Sequence, residues 1–201
     1  FASEGLEQAL SQLKNNNAKE EYYLTDLVLL QRAAGGHCAY VLGPAEDMEG
    51  VNDRVQLSIA EKRMQQKLRD TAMRGGVTMI DPDTVYLSTD TIMGQDIVIE
   101  PNVVIGPGVR IDNGVVIKAN CYIAGVHIEQ GAEIGPFVHI RPGTVIGTDT
   151  VIANFVEIKK STFAPHAKVS QFACVVDADI GSYANVGAGT IISNWDGVNK
   201  F

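Results

Sequence analysis

From Ile99 onward an aliphatic side chain returns every six residues: Ile99, Ile105, Ile111, Ile117 and Ile123. A five-residue step resets the register at Ile128, which then runs through Ile134, Ile140, Ile146, Ile152 and Ile158. Two further short steps open the runs Phe163, Val169, Val175 and Ile180, Val186, Ile192. A half-buried strand alternates with period two and an amphipathic helix with a period near 3.6, so a sustained period of six fits neither, although it is a multiple of two. It is the period of a solenoid repeat. The next residue is often glycine, as at Gly106, Gly135, Gly147, Gly181 and Gly187, which predicts tight corners where a Cβ would collide.

This pattern resembles the left-handed parallel β-helix of hexapeptide-repeat proteins, in which three hexapeptides form one triangular coil with the aliphatic residues inside. The handedness rests on the resemblance, because crossovers are otherwise right-handed. Upstream, Gly50 to Gly76 reads as one helix, capped by Asn52 or Asp53, with Leu57, Ala60, Met64 and Leu68 as its apolar stripe and Gly75-Gly76 as its stop. It reads as an arm joining two bodies. Before it, Leu24 to Ala34 predicts a helix opened by Thr25 or Asp26, and Cys38 to Leu42 a short β-strand between Gly35-Gly36 and Gly43-Pro44.

Composition narrows the class. With 45% apolar and 20% charged residues, 201 residues can fill one good core or two small ones, and no apolar run is long enough to span a bilayer. The chain opens on Phe1-Ala2-Ser3-Glu4, without Met or a signal-like segment, and reads as a piece of a longer protein. A net charge of -8 with no basic cluster argues against nucleic acid and anionic membrane as partners. Cys38, Cys121 and Cys174 are odd in number and lack a C-x-x-C pair, which suits a reducing cytoplasm better than disulfides or structural zinc.

Arg141 and Lys159 each follow an inward aliphatic residue and stand eighteen positions apart with no short step between. They are expected to stack on one corner of adjacent coils, about 4.8 Å apart. Two cations that close repel by about 3 kcal/mol at an effective dielectric of 20, which a bridging phosphate would relieve. Equally, both side chains can splay into water or pair with Glu157 or Asp149.

Several ordered runs then carry a resemblance across essentially the whole chain. Ile134-Gly-Pro-Phe-Val-His-Ile-Arg-Pro-Gly143, Asn154-Phe-Val-Glu-Ile-Lys-Lys160, Asn185-Val-Gly-Ala-Gly-Thr190 and Asn194-Trp-Asp-Gly-Val-Asn-Lys-Phe201 are similar to the bifunctional UDP-N-acetylglucosamine pyrophosphorylase and glucosamine-1-phosphate N-acetyltransferase family. Glu21-Tyr-Tyr-Leu-Thr-Asp26 and Gly50-Val-Asn-Asp-Arg-Val-Gln-Leu57 resemble the end of its uridyltransferase domain and the start of its helical arm. The resemblance implies a mainly β fold: the C-terminal remnant of an α/β nucleotidyltransferase domain in residues 1–51, a helical linker in 52–76, and in 77–201 a left-handed hexapeptide β-helix cut short at Phe201. It implies a cytoplasmic homotrimer with sites between subunits, which acetylates glucosamine 1-phosphate from acetyl-CoA and then uses UTP and Mg2+ to make UDP-N-acetylglucosamine. By position, Arg141 and Lys159 would hold the sugar phosphate and Asn185 the sugar. Ala188, Asn194, Trp195 and Lys200 would lie along acetyl-CoA. Asn52 would bind magnesium and nucleotide sugar, with Glu21, Tyr23 and Thr25 lining that pocket. Plainer roles stay open: Asn52 as a helix cap, Asn185 in a corner, Trp195 in packing.

Two departures bear on activity. The family's general-base histidine and, three residues on, its sugar-contacting tyrosine fall on Gln171 and Cys174. An amide does not accept a proton near neutral pH, and a positioned base supplies about 10² to 10⁴ in rate. The family's glycine-rich phosphate loop and the aspartate that partners Asn52 are not on this chain. A non-catalytic trimeric scaffold is therefore the rival reading, and a hexapeptide-repeat carbonic anhydrase using His127, His139 and His166 on zinc a third, although no two of these histidines stand at its short spacing.

Overall fold

The computed structural model describes residues 5–194 and residue 198. Contacts divide the chain into two units, Phe1–Gly50 and Val51–Phe201.

The second unit is a mainly β parallel solenoid. Each of the first six coils contributes one strand of two or three residues to each of three parallel sheets, and the last adds a strand to sheets A and B among the described residues. Sheet A runs from Val77–Met79 to Asn185–Val186, sheet B from Tyr86–Leu87 to Ile191–Ile192, and sheet C from Ile92–Met93 to Asp179–Ile180. The period of six becomes three inward columns. Ile99, Ile117, Ile134 and Ile152 stack in sheet A, Ile105, Ile123, Ile140 and Ile158 in sheet B, and Ile111, Ile128, Ile146 and Phe163 in sheet C, all at most 1% exposed. Each such burial stabilises by about 1.5–3 kcal/mol, and the strand neighbours, a mixture of polar residues and valines such as Val98, Val104 and Val116, face outward because alternate residues point to opposite sides.

All three short steps, Ile123 to Ile128, Ile158 to Phe163 and Val175 to Ile180, fall at the corner between sheets B and C, so a deletion there leaves every column intact. The solenoid also contains a coil that the repeat reading begins too late to include: Met79, Leu87 and Met93. The step from Met79 to Leu87 holds a 3-10 turn, Pro82–Thr84, which breaks the period. Of the corner glycines, Gly135 (φ +100°) and Gly147 are required: an added Cβ would come within 2.6 Å of Cys121 Sγ at the first and collide with the Phe163 carbonyl oxygen at the second. Gly181 has open space instead.

Three helices precede the strands: α1 (Leu6–Leu10), α2 (Asp26–Ala33) and α3 (Arg54–Arg74). Asp53 caps α3 by accepting the Gln56 amide at 2.8 Å, while Gln56 Oε1 accepts the Asn52 amide at 2.6 Å, close to a reciprocal capping box. The expected apolar stripe is only partly the buried face: Leu68 packs on the solenoid core, as do Ala72 and Met73, whereas Leu57 and Met64 are about half exposed and the fully buried residues are Gln65 and Arg69. The cause is the edge they cover. The first strand of sheet B has no coil before it, so its backbone groups need polar partners. Gln65 supplies both, donating to the Leu87 carbonyl and accepting its amide at 2.8 Å each, and Arg69 reaches the Val85 carbonyl at 3.3 Å and Asp83 at 3.0 Å.

In the first unit α1 packs against α2, and Leu27 is the one buried apolar residue among those described. The strand expected over Cys38 to Leu42 does not form: Tyr40, Val41 and Leu42 are 86–93% exposed and make no ladder. Apolar, β-branched content predicts a strand only where another strand can pair with it, and the first strand among the described residues is Val77–Met79.

Candidate functional site

On the outer face of sheet B the strands His139–Ile140, Glu157–Lys159 and Cys174–Val176 pair in register, His139 beside Glu157 and Glu157 beside Cys174. Their outward residues make a grid: His139 and Arg141 on one coil, Glu157 and Lys159 on the next, Cys174 and Val176 above. Arg141 and Lys159 are adjacent, with the Arg141 amide donating to the Ile158 carbonyl at 2.8 Å. Both open readings of the pair are partly realised. The cations do stack on neighbouring coils, and Arg141 Nη1 also donates to Glu157 Oε1 at 3.3 Å, with both side chains nearly half exposed. Burial, followed by the charge of Glu157, pushes the Cys174 thiol above its ordinary range. Gln171 is exposed at the preceding corner, its carbonyl accepting the Gly189 amide at 3.0 Å.

Along one edge of this flank runs an aromatic ladder that the sequence reading missed. Phe137, Phe155 and Phe172 take positive φ of 56° to 60° at the corner between sheets A and B, with ring centroids 5.0 and 5.2 Å apart and nearly parallel planes. Left-handed backbone is costly for such a residue, and stacking returns about 0.5–1.5 kcal/mol per pair. The signal was present, because the three phenylalanines repeat at the coil interval, each three residues before an inward aliphatic residue. Beside them an open recess of about 340 Å3 is lined by Phe137, Phe155, Tyr122, His139 and Glu157, the His139 ring standing edge-on to Tyr122 at 5.4 Å.

The other expected site residues lie elsewhere. Asn185 is exposed on sheet A, paired in register with Lys168, so one chain does not bring it onto the Arg141 flank. Ala188 is exposed at the A–B corner and Asn194 is partly buried beyond Ile192. Trp195 and Lys200 lie outside the described residues. In the first unit Glu21 is tied to Asn17, whose side chain accepts the Glu21 amide at 3.2 Å and donates to its carbonyl at 2.5 Å. The Tyr23 carbonyl accepts the Asp26 amide, and Thr25 is the N-cap residue of α2 without a side-chain cap bond. Asn52 precedes α3. One amide oxygen does not hold Mg2+, which takes carboxylates and water, and no cluster of three or more His, Cys, Asp or Glu poised for a metal occurs among the described residues. The three histidines stand apart: His127 on sheet C pairs with Asp112 at 2.9 Å, His139 is on sheet B, and His166 stacks on Tyr183 at a corner.

Comparison with known proteins gives this arrangement a context. The bacterial transferase hexapeptide family (six repeats) matches residues 90–125 and 125–160. Among curated proteins, the Bifunctional protein GlmU of Paramagnetospirillum magneticum is 48% identical over 191 residues, covering 95% of this chain and 42% of the relative. Over almost its whole length the chain is similar to the bifunctional GlmU proteins. That of Azorhizobium caulinodans is also 48% identical, over 95% of this chain and 43% of the relative, and that of Shouchella clausii is 42% identical over the whole chain and 48% of the relative. The chain therefore spans a little under half the length of these GlmU relatives. Among solved structures, the acetyltransferase domain of PglB from Neisseria gonorrhoeae overlays with a TM-score of 0.44 at 21% identity, covering 64% of each chain. No helix among the described residues is long and apolar enough to cross a membrane.

Proposed function

We propose that the sheet B flank binds glucosamine 1-phosphate, with the phosphate held between Arg141 and Lys159, and that the solenoid is the acceptor-binding part of an acetyltransferase using acetyl-CoA. The observation that carries this reading is the side-by-side register of Arg141 and Lys159 on adjacent coils. A phosphate bridges two such cations better than water does, and the Arg fork adds paired donors. Asn185 lies on sheet A, away from this flank, which fits a homotrimer with each site between one copy's sheet B flank and a neighbouring copy, and the cytoplasmic setting follows from the family resemblance alone. Acetyl-CoA supplies the acyl group, and Ala188, Asn194, Trp195 and Lys200 are its expected contacts.

Gln171 favours a second element of the reading, binding without efficient transfer. Acetyl transfer by this chain is expected to be absent or at least about a hundredfold below a relative with histidine there, the low end of what a general base supplies. The test is calorimetric titration with glucosamine 1-phosphate beside an acetyl-CoA thiol-release assay, on this chain and on Arg141→Ala. Binding that ignores Arg141→Ala would sink the phosphate assignment, and robust thiol release would show that another group, or water, serves as base. The uridyltransferase step, with UTP and Mg2+, would draw on Glu21, Tyr23, Thr25 and Asn52. With no cluster of three or more His, Cys, Asp or Glu poised for a metal among the described residues, no turnover is expected, and pyrophosphate release from UTP that is sensitive to Asn52→Ala would overturn this.

A further inference from the structure

The grid on sheet B holds an anion of its own among its cations. Glu157 lies on the same strand as Lys159, two residues before it and facing the same side, and its carboxylate contacts Arg141 at 3.3 Å. That contact is long, single rather than forked, and close to half exposed at both ends, which places it among the weak surface ion pairs that a better anion displaces. A phosphate offering two oxygens to the guanidinium is such an anion. On the far side Glu157 borders Cys174, and on the near side His139, so the carboxylate sits between the cationic column and the recess.

Glucosamine 1-phosphate carries its phosphate and its amine on neighbouring ring carbons, and at neutral pH the amine is an ammonium. A phosphate on Arg141 and Lys159 thus puts a positive charge one substituent away, where the grid has a carboxylate. We propose that Glu157 is the residue that reads the amino group: it holds Arg141 in the empty site, yields it to the incoming phosphate, and pairs with the ammonium. The inference rests on the sugar-phosphate reading above and adds the selectivity of that site. Acetyl transfer forms the N–C bond, breaks the thioester C–S bond and releases the thiol and a proton, leaving an uncharged amide. Glu157 then has no cation in the ligand, returns to Arg141, and favours departure of the product.

The test compares two ligands that differ at one substituent, glucosamine 1-phosphate and glucose 1-phosphate, by calorimetry at pH 7 on this chain, Glu157→Gln, Glu157→Ala and Arg141→Ala. The unmodified chain is expected to bind the amino sugar up to about fivefold more tightly, the factor that a solvent-exposed ion pair supplies at its upper limit. Both Glu157 variants are expected to bring that ratio to about one and to tighten glucose 1-phosphate, because the competing carboxylate is gone. Arg141→Ala weakens both ligands. A preference retained in the Glu157 variants, or no preference in the unmodified chain, overturns the role of Glu157 while leaving the phosphate site standing. Failure of the unmodified chain to bind either sugar phosphate overturns the underlying reading instead. Circular dichroism on each variant, at a half-exposed position, separates lost binding from lost fold.

Discussion

The solenoid and the first fifty residues use apolar side chains in opposite ways. Between Ile97 and Val175 the inward aliphatic residues are buried almost to zero exposure, whereas Leu24, Leu29, Val41 and Leu42 in the first unit are 61–93% exposed. The difference is one of register rather than composition. In the solenoid each isoleucine meets another one coil away at the strand spacing, so a short strand of two residues, worthless alone, is closed on both sides by its own repeat. In the first unit α1 packs against α2 with Leu27 as the one fully buried apolar residue among those described, and the apolar run at Cys38 to Leu42 has no periodic neighbour.

The largest expected effect tests that contrast directly. Ile123→Ala in the middle of the sheet B column should lose about 2–5 kcal/mol, through lost burial and the cavity left behind. Leu29→Ala, 69% exposed, should stay within about 0.5 kcal/mol. Denaturant unfolding followed by circular dichroism measures both, and equal losses would end the comparison.

Next in size is an alkaline weakness confined to the solenoid. Burial pushes the Cys121 thiol from its ordinary 9.0 up to about 11. Between those values the unfolded chain gives up a proton that the folded chain retains, so the contribution is complete below pH 9 and is lost as pH rises towards 11. The loss reaches about 2–3 kcal/mol. Melting temperatures from pH 8 to 11 should fall more steeply for the unmodified chain than for Cys121→Ala, and parallel curves would show that the thiol is not the cause.

The smallest effect lies where the repeat ends. Gln65→Ala strips the Leu87 amide and carbonyl of their partner at the open edge of sheet B and should cost about 1–3 kcal/mol. Lys62→Ala, on the exposed side of the same helix, should be near neutral. An equally mild Gln65→Ala would mean that water satisfies the edge as well as the amide does.

The grid on sheet B was half legible. The interval of eighteen residues placed Arg141 beside Lys159, and the coil delivers that adjacency. The Arg141 to Glu157 contact stood only as one of several options, because side-chain choice among water, anion and neighbour depends on angles that spacing does not carry. Gln171 and Cys174 were legible as departures, since a residue type speaks for its own proton chemistry. The aromatic ladder went unread although its spacing was plain, because three phenylalanines in left-handed backbone contradict local preference and hold only through one another.

By itself the sequence determined the period, and from the period the inward columns, the outward neighbours and the solenoid, because a six-residue repeat leaves few other ways to bury every isoleucine. Its short steps were visible as interruptions. Only the tertiary structure decided that all three share the corner between sheets B and C, where a missing residue shifts no column. It alone decided that the most deeply buried residues of α3 are a glutamine and an arginine, beside the partly buried Leu68 of its apolar stripe, because what a helix buries depends on the surface it meets, and here that surface includes an unpaired strand edge. It likewise set Asn185 on a different sheet from Arg141, a separation that follows from which side of a corner a residue falls on and is not visible in its distance along the chain.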